Sequence, residues 1–196
     1  MKKTLMILIL AIIPTFAMAQ KQKRVNEVSI SYGVIPINQV IDSFTDIMTY
    51  AMLFGNTETR NSYSFGAINV GYGYKVADWF TIGATYSYSN IKKDVYSSSD
   101  ANEETFLGKE KYNFHAIMPT AKFTWLNLSI VNLYSKIALG FAFVDSKDFK
   151  NKKYNDNQVA FQLSPIGLEV GGAFSGFVEA GIGDMGFCQM GARYQF

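Results

Sequence analysis

The chain has 196 residues, enough for one domain of ordinary size, and its 18 basic and 16 acidic residues leave a formal net charge of +2. A charge this close to zero argues against nucleic-acid binding and against attachment to a membrane surface by a basic cluster. The single cysteine excludes an internal disulfide. Aromatic residues make up 15% of the chain and glycine occurs 16 times, which favours β-structure.

The first 19 residues predict a secretory signal peptide. Lys2–Lys3 form a short positive start, Leu5–Ile13 an apolar run, and Ala17–Ala19 an A-x-A cleavage pattern. The apolar run is too short to cross a bilayer as a helix. The residue after the cut is Gln20 rather than cysteine, which argues against a lipid anchor. Cleavage lowers the number of basic residues from 18 to 16, so the mature chain, with 16 acids, is neutral.

Eight later segments show the apolar–polar alternation of strands that have one apolar face. They lie at 26–34, 64–75, 79–91, 112–126, 132–144, 158–171, 174–182 and 187–196. In the sixth segment the phase of the alternation slips near Ser164–Pro165, which predicts a β-bulge. No later apolar run approaches the ~18 residues of a membrane helix, so a helical membrane protein is excluded.

The connections between the predicted strands alternate between long and short. Those after the first, third and fifth strands span about 29, 20 and 13 residues, as expected of the long outer loops of an outer-membrane barrel, whereas most of the others are short like its periplasmic turns. Among the outer loops only the last, around Gly183–Gly186, is short. Strands of ~10 residues at ~3.3 Å per residue, tilted by ~40°, match the ~25 Å apolar band of such a barrel.

The first long loop carries apolar residues at helical spacing from Ile37 to Met52, with polar residues on the other face. This spacing predicts a helix over 38–54, outside the strand ladder, with Asn38 as its cap and Gly55 at its end. Two interpretations stay open. The helix packs on the barrel rim, or it contacts lipid or an extracellular or envelope protein partner.

The composition of the polar rows distinguishes a membrane barrel from a soluble ligand-binding barrel. A water-facing row should be rich in lysine and glutamate, whereas the rows here are mainly Gly, Ser, Thr and Ala, which suit a crowded barrel interior. The other rows carry aromatic and β-branched residues, as lipid contact requires. We therefore predict an all-β fold, an eight-stranded antiparallel up-and-down transmembrane barrel over 26–196 with a helical insertion in the first outer loop. A signal peptide, 1–19, and a short segment, 20–25, precede it.

The signal peptide, the eight alternating segments and the terminal Gly191–Phe196 together resemble the small OmpA/OmpX-type outer-membrane barrels. In that family, the alternating last strand and its final aromatic residue form the signal that the barrel-assembly machinery reads. Ala192, Tyr194 and Phe196 match that pattern. The resemblance covers nearly the whole mature chain, and it implies location in the cell outer membrane.

Six charged residues fall on the polar, lumen-facing rows. They are Glu27, Lys122, Lys136, Glu169, Glu179 and Arg193. Buried charges cost several kcal/mol each unless they are paired and hydrogen-bonded. Three acids and three bases therefore predict a plug of salt bridges around Glu169, Glu179 and Arg193, joined across the barrel by Lys122 or Lys136. The alternative is a set of separate charges solvated by lumen water.

Two further motifs carry weak chemical signals. Gly181–Gly186 matches G-x-G-x-x-G, but a dinucleotide site needs a following helix, and here a strand is predicted, so we interpret it as a tight hairpin. His115, the single histidine, falls on the lipid face near the outer rim, with Ile117 next on that face. This placement favours neither catalysis nor metal binding, and we predict no catalytic residue, metal or cofactor.

The leading functional prediction is a monomeric, non-enzymatic outer-membrane protein with a structural or surface-interaction role and a plugged lumen. One alternative is a narrow channel for small solutes, which requires a continuous water path. Another is an outer-membrane lipid-modifying enzyme, which requires a serine or carboxylate beside His115. The predicted partners are outer-membrane lipid and the barrel-assembly machinery, and no nucleic acid.

Overall fold

The computed structural model describes residues 24–37, 57–98, 104–128, 130–147 and 153–196. Within these ranges, eight antiparallel strands form a closed barrel in which neighbours in sequence are neighbours in space. The strands are β1 (Asn26–Val34), β2 (Thr57–Ala77), β3 (Phe80–Ser98), β4 (Glu104–Asn127), β5 (Val131–Lys147), β6 (Lys153–Gly171), β7 (Phe174–Gly183) and β8 (Cys188–Gln195). The predicted all-β, eight-stranded up-and-down barrel is confirmed.

The barrel closes where β1 meets β8. The Asn26 N–H donates to the Phe196 carbonyl at 3.0 Å, and the Phe196 N–H donates back to the Asn26 carbonyl at 2.9 Å. From there the two strands pair without interruption, with Val28 opposite Tyr194 and Val34 opposite Cys188. We call the end of the barrel that holds Asn26 and Phe196 the lower end, and the opposite end the upper end.

The predicted phase slip in the sixth strand is confirmed as a bulge on β6. Tyr134 lies opposite Gly167 and Lys136 opposite Ser164, so β6 has one more residue than β5 between these two pairs. The Ser135 hydroxyl donates to the Pro165 carbonyl at 2.6 Å. The proline has no N–H to contribute to a strand ladder, which explains why the irregularity lies there.

The outward face of the barrel is apolar between two levels marked by aromatic side chains. Near the lower end, Trp79 stacks on Phe123 with ring centroids 6.4 Å apart. Near the upper end, Tyr88, His115 and Phe143 lie directly opposite one another on β3, β4 and β5, and we call them the upper aromatic row. The outward face of β5 between these levels spans ~25 Å, the height of the apolar band of an outer-membrane barrel.

Several strands continue above the upper aromatic row, and the predicted loop lengths there are wrong. β3 continues to Ser98, which pairs with Glu104 of β4, and β5 continues to Lys147, which pairs with Lys153 of β6. Apolar alternation ends where contact with lipid ends, whereas backbone pairing continues in water, so the sequence pattern underestimates these strands. We call the parts of β2 to β6 above the upper aromatic row the upper extension.

Two predictions fall on residues that the structure does not describe. The helix over 38–54 and the signal peptide, 1–19, both lie outside the described ranges. Among the described residues, no helix has the length and apolar character needed to cross a membrane.

A charge placed in the middle of the outward apolar face should destabilise the barrel. Leu139 is 65% exposed on the bare protein and lies near the middle of the band on β5. Leu139→Arg is expected to lower the free energy of unfolding in lipid vesicles by about 2–4 kcal/mol, measured by urea titration.

The matched control is Phe143→Arg, on the same strand and face but in the upper aromatic row. Because a charge near the interface reaches water, its cost should be about 0–1 kcal/mol. Gly140 is unsuitable as a lumen-side control, since a Cβ there would collide with the Ile117 carbonyl. Equal losses from the two arginines would contradict the membrane placement of this face.

Candidate functional site in the barrel lumen

Six charged side chains lie together in the lower half of the lumen, and they are the six residues that the sequence places there. Each comes from a different strand, and none is more than 8% exposed. They are Glu27 on β1, Lys122 on β4, Lys136 on β5, Glu169 on β6, Glu179 on β7 and Arg193 on β8. The set carries no net charge, so the cost of burying it depends on how its members pair.

Arg193 is the centre of this network. Its guanidinium forms an ion pair with Glu169 and lies 3.5 Å from a carboxylate oxygen of Glu27 and 3.9 Å from one of Glu179. It also packs 5.2 Å from the centre of the Tyr134 ring. A planar guanidinium offers five N–H donors in several directions, so a single arginine can contact carboxylates from three strands.

The two lysines each neutralise a different carboxylate. Lys122 Nζ lies 2.7 and 2.6 Å from the two carboxylate oxygens of Glu27. Lys136 Nζ forms an ion pair of 2.5 Å with Glu179 Oε2, while the Tyr134 hydroxyl donates to Glu179 Oε1 at 2.8 Å. Both lysines therefore join the network, where the sequence left open whether one or the other would.

Glu169 depends on Arg193 more than the other two acids do. Among the described residues, Arg193 provides its ion pair, and no lysine contacts it. Its other oxygen accepts hydrogen bonds from Ser175 Oγ at 2.9 Å and Gln195 Nε2 at 3.0 Å. Loss of Arg193 would therefore leave Glu169 with neutral donors only.

A second layer of polar side chains lies above the charges, and sequence analysis missed it. Asn69 Nδ2 donates to the Met185 carbonyl at 3.3 Å and to Gln189 Oε1 at 3.4 Å. The Gln162 amide accepts from the Met185 N–H at 2.9 Å and donates to the Gly186 carbonyl at 3.1 Å. These bonds hold the β7–β8 hairpin over the upper mouth of the lumen, with Met185 only 2% exposed.

The signal for this amide layer was present in the alternation. Asn69, Gln162 and Gln189 all fall on rows that face the lumen, as their burial shows. They are uncharged, so a search for unpaired charges passes over them, although a buried amide also needs partners. The same search gives no indication that backbone groups of a hairpin would provide those partners.

Little space remains between the paired charges. A cavity of about 30 Å³ lies beside Glu27, Lys122 and Arg193, and hydroxyl-bearing residues such as Ser29 and Thr85 also line it. That volume is about the share of one water molecule in the liquid. The cavity can hold a water that bridges polar groups, but it is far smaller than a ligand site of the usual ~300–1,000 Å³.

The remaining motifs lie away from this network. His115 is in the upper aromatic row, with its Nδ1 2.7 Å from the Tyr86 hydroxyl and its ring 5.0 Å from the Tyr88 ring. Strand β8 follows Gly181–Gly186, which confirms the interpretation of that motif as a hairpin. No group of three or more potential metal ligands occurs in the part of the chain that the structure describes.

The terminal residues of the predicted assembly signal lie on one face of β8. Arg193 between them is buried in the lumen, so Ala192 and Tyr194 face outward. The rings of Tyr194 and Phe196 stack with centroids 5.8 Å apart. Their recognition by the barrel-assembly machinery stays a prediction.

These features define the class of protein: a small closed barrel with the apolar exterior of an outer-membrane protein and a crowded interior. The closed eight-stranded ladder and this exterior confirm the architectural resemblance to the small OmpA/OmpX-type barrels. No family model and no curated protein matches the chain.

Two solved structures of one protein are similar to the chain. One is the crystal structure of Ail, the attachment invasion locus protein of Yersinia pestis, in complex with the heparin analogue sucrose octasulfate, at 11% identity and a TM-score of 0.48. Another crystal structure of Ail gives 14% identity and a TM-score of 0.44. Both comparisons cover 89% of this chain and 100% of the other.

Replacing Arg193 with methionine should leave Glu169 buried without an ion pair, whereas the other two acids keep their lysines. A buried carboxylate that loses its partner costs about 3–5 kcal/mol, so we expect Arg193→Met to lower the free energy of unfolding by about that amount. Urea titration of the folded barrel measures the loss.

Two double variants identify the carboxylate that loses its ion pair in Arg193→Met. Adding Glu169→Gln to Arg193→Met should recover much of the lost stability, because it removes the unpaired charge. Adding Glu179→Gln should not, because that change leaves Lys136 without its carboxylate. Equal recovery by the two second substitutions would show that Glu169 does not depend specifically on Arg193.

Proposed function

We propose that the protein is a monomeric, non-enzymatic outer-membrane barrel that acts through its surface rather than by passing solutes through its lumen. The observation that carries this proposal is the mutual pairing of the lumen charges. Each acid has a cation from the same set, and the set is covered by the amide layer and the β7–β8 hairpin. Cleavage of residues 1–19 and recognition of Phe196 by the assembly machinery are part of the proposal.

A channel for small solutes is the weaker alternative. A conducting lumen needs a continuous water path and charged groups that solutes can reach. Here the carboxylates of Glu27 and Glu179 contact lysines at 2.5–2.7 Å, and the cavity beside them measures about 30 Å³. Breaking these pairs to admit an ion would leave buried charges without partners, at a cost of several kcal/mol each.

A lipid-modifying enzyme that uses His115 as its base is the second weaker alternative. A histidine base needs a nucleophile within hydrogen-bond reach and a third group to orient it. In the described part of the chain, the contacts of His115 are with the phenol groups of Tyr86 and Tyr88. Aromatic and amphipathic side chains at this level are those expected at a membrane interface.

The upper extension is what supports a role at the cell surface. Its strands stay hydrogen-bonded well above the apolar band, so they form an ordered platform rather than separate mobile loops. If both barrel ends of the chain face the periplasm, as in outer-membrane barrels, this platform lies outside the cell. A contact of the first loop, 38–54, with a protein partner is part of the proposal and concerns residues outside the described ranges.

Conductance across a planar bilayer tests the sealed lumen. The wild-type barrel should give no steady current, whereas Arg193→Ala should give flickering openings because it removes the group that joins three carboxylates. Lys109→Gln, on the upper extension and outside the lumen, is the control and should stay closed. A large steady current through the wild type would reject the plug and favour the channel.

Labelling of intact cells tests the orientation. In a Cys188→Ala background, a membrane-impermeant maleimide should react with Lys109→Cys, whose side chain is 63% exposed on the upper extension. It should not react with Gly172→Cys, in the β6–β7 turn at the lower end, where an added side chain meets open space. Labelling of both sites after cell lysis shows that both are reactive. Labelling of Gly172→Cys alone on intact cells would reverse the orientation.

A further inference from the structure

The strand register aligns lysines across four neighbouring strands. Lys92 lies opposite Lys111, Lys111 opposite Lys147, and Lys147 opposite Lys153. Residues directly opposite each other in an antiparallel pair share a face of the sheet. We call Lys92, Lys111 and Lys147 the lysine row, and Lys153 continues its backbone register.

The lysine row faces outward on the upper extension. Lys92 is exposed, while Ile91 and Lys93 on either side of it are 1% and 5% exposed and point inward. Lys111 and Lys147 are exposed as well. Three lysines therefore occupy neighbouring positions on the outer surface of β3, β4 and β5.

Like charges directly opposite one another destabilise a sheet, so this row needs a compensating charge. The step above it on the same face holds Asp94 and Lys109, which pair with each other at 3.7 Å. The step below holds Asp145, a single acid for three lysines. In the network around Arg193, three acids balance three bases, whereas here the described side chains leave an excess of positive charge.

The lysine row lies just above the apolar band, and it is on the same outward face of the same strands. The upper aromatic row comes first, then a polar step with Asn90, Asn113 and Asp145, and then the lysines. On each strand the lysine lies four positions from the aromatic residue, which corresponds to ~10 Å along the membrane normal. The headgroup region extends ~5–8 Å beyond the hydrocarbon, and lysine side chains turn toward such a charged zone.

An open cleft also lies at this level. It has a volume of about 270 Å³ and is lined by Asn113, Asp145, Ser146, Lys147 and Asn155. Below it, beyond His115 and Phe143 of the upper aromatic row, the outward side chains of Ile117 and Phe141 pair across β4 and β5 and are 53% and 66% exposed. An acyl chain on these two residues would bring its headgroup to the cleft and the lysine row.

We propose that the lysine row binds phosphate groups of lipid headgroups in the outer leaflet. The proposal rests on the membrane placement proposed above. The continuity of the charged row with the apolar face favours a lipid over a soluble anion, because one lipid can contact both surfaces. Each lysine near an anionic membrane surface contributes about a fivefold effect, so three together should contribute about 100-fold.

The test compares the wild type with a triple variant, Lys92→Gln, Lys111→Gln and Lys147→Gln, refolded in phosphatidylcholine vesicles with or without lipid A, a phosphorylated glycolipid. Lipid A should lower the unfolding equilibrium constant of the wild type about 100-fold more than that of the triple variant. In vesicles without lipid A, the triple variant should be more stable than the wild type, because the glutamines remove the repulsion between neighbouring lysines. A matched triple Lys→Arg variant should respond to lipid A as the wild type does.

Control lipids and soluble anions in the same experiment identify the ligand. Dephosphorylated lipid A should lose the difference between wild type and triple variant, and inorganic phosphate or a soluble sulfated polysaccharide should not reproduce it. An equal response of both proteins, or a response retained without the lipid phosphates, would overturn the proposal. So would a soluble anion that reproduces the effect. If the triple variant fails to refold, Lys111→Gln alone should show part of the loss, because Lys111 lies between two lysines.

Insertion separates this proposal from the membrane placement. A wild-type barrel that folds into phosphatidylcholine vesicles but ignores the lysine substitutions leaves the membrane placement intact and overturns only the lipid-binding role. A barrel that refuses to insert into any vesicle overturns both.

Discussion

Closure of the backbone ladder is the constraint on which the rest of the structure depends. In hydrocarbon, each unpaired N–H or C=O costs several kcal/mol, so a sheet can cross only when its two edges meet. Here the paired N–H and C=O groups of Asn26 and Phe196 start that seam, and β1 and β8 continue it to Val34. Because the ladder supplies the backbone bonds, the side chains are free to differ completely between the two faces.

Closure with eight strands also determines how much space the lumen has for side chains. The lumen of such a barrel is just wide enough for side chains to fill it. Charged residues that point inward cannot be hydrated as they would be on a surface, so they must neutralise one another. The arrangement around Arg193 does this with three acids and three bases, and the amide layer provides hydrogen bonds to the hairpin backbone. The side chains that fill this lumen must therefore also satisfy one another's charges.

Apolar alternation predicted the strands, their faces, the bulge at Ser164–Pro165 and the inward position of all six charges, because each depends on side-chain direction alone. It did not predict how far the strands rise above the membrane, since paired strands in water need no apolar row, as Ser98 and Glu104 show. It also missed Asn69, Gln162 and Gln189. The partners within the lumen depend on strand register, which a single sequence fixes only through the turns.

Three carboxylates share the guanidinium of Arg193, and this restricts which lumen substitutions such a barrel can accept as its sequence evolves. A lineage that exchanges the six network residues one at a time loses stability at the first substitution, whichever acid or base it changes, because each of these charges is paired with another. Neutral drift is therefore confined to coordinated replacements, in which an acid and its base disappear together. We expect related barrels to differ in the number of their interior charges by whole pairs, while the exterior varies residue by residue.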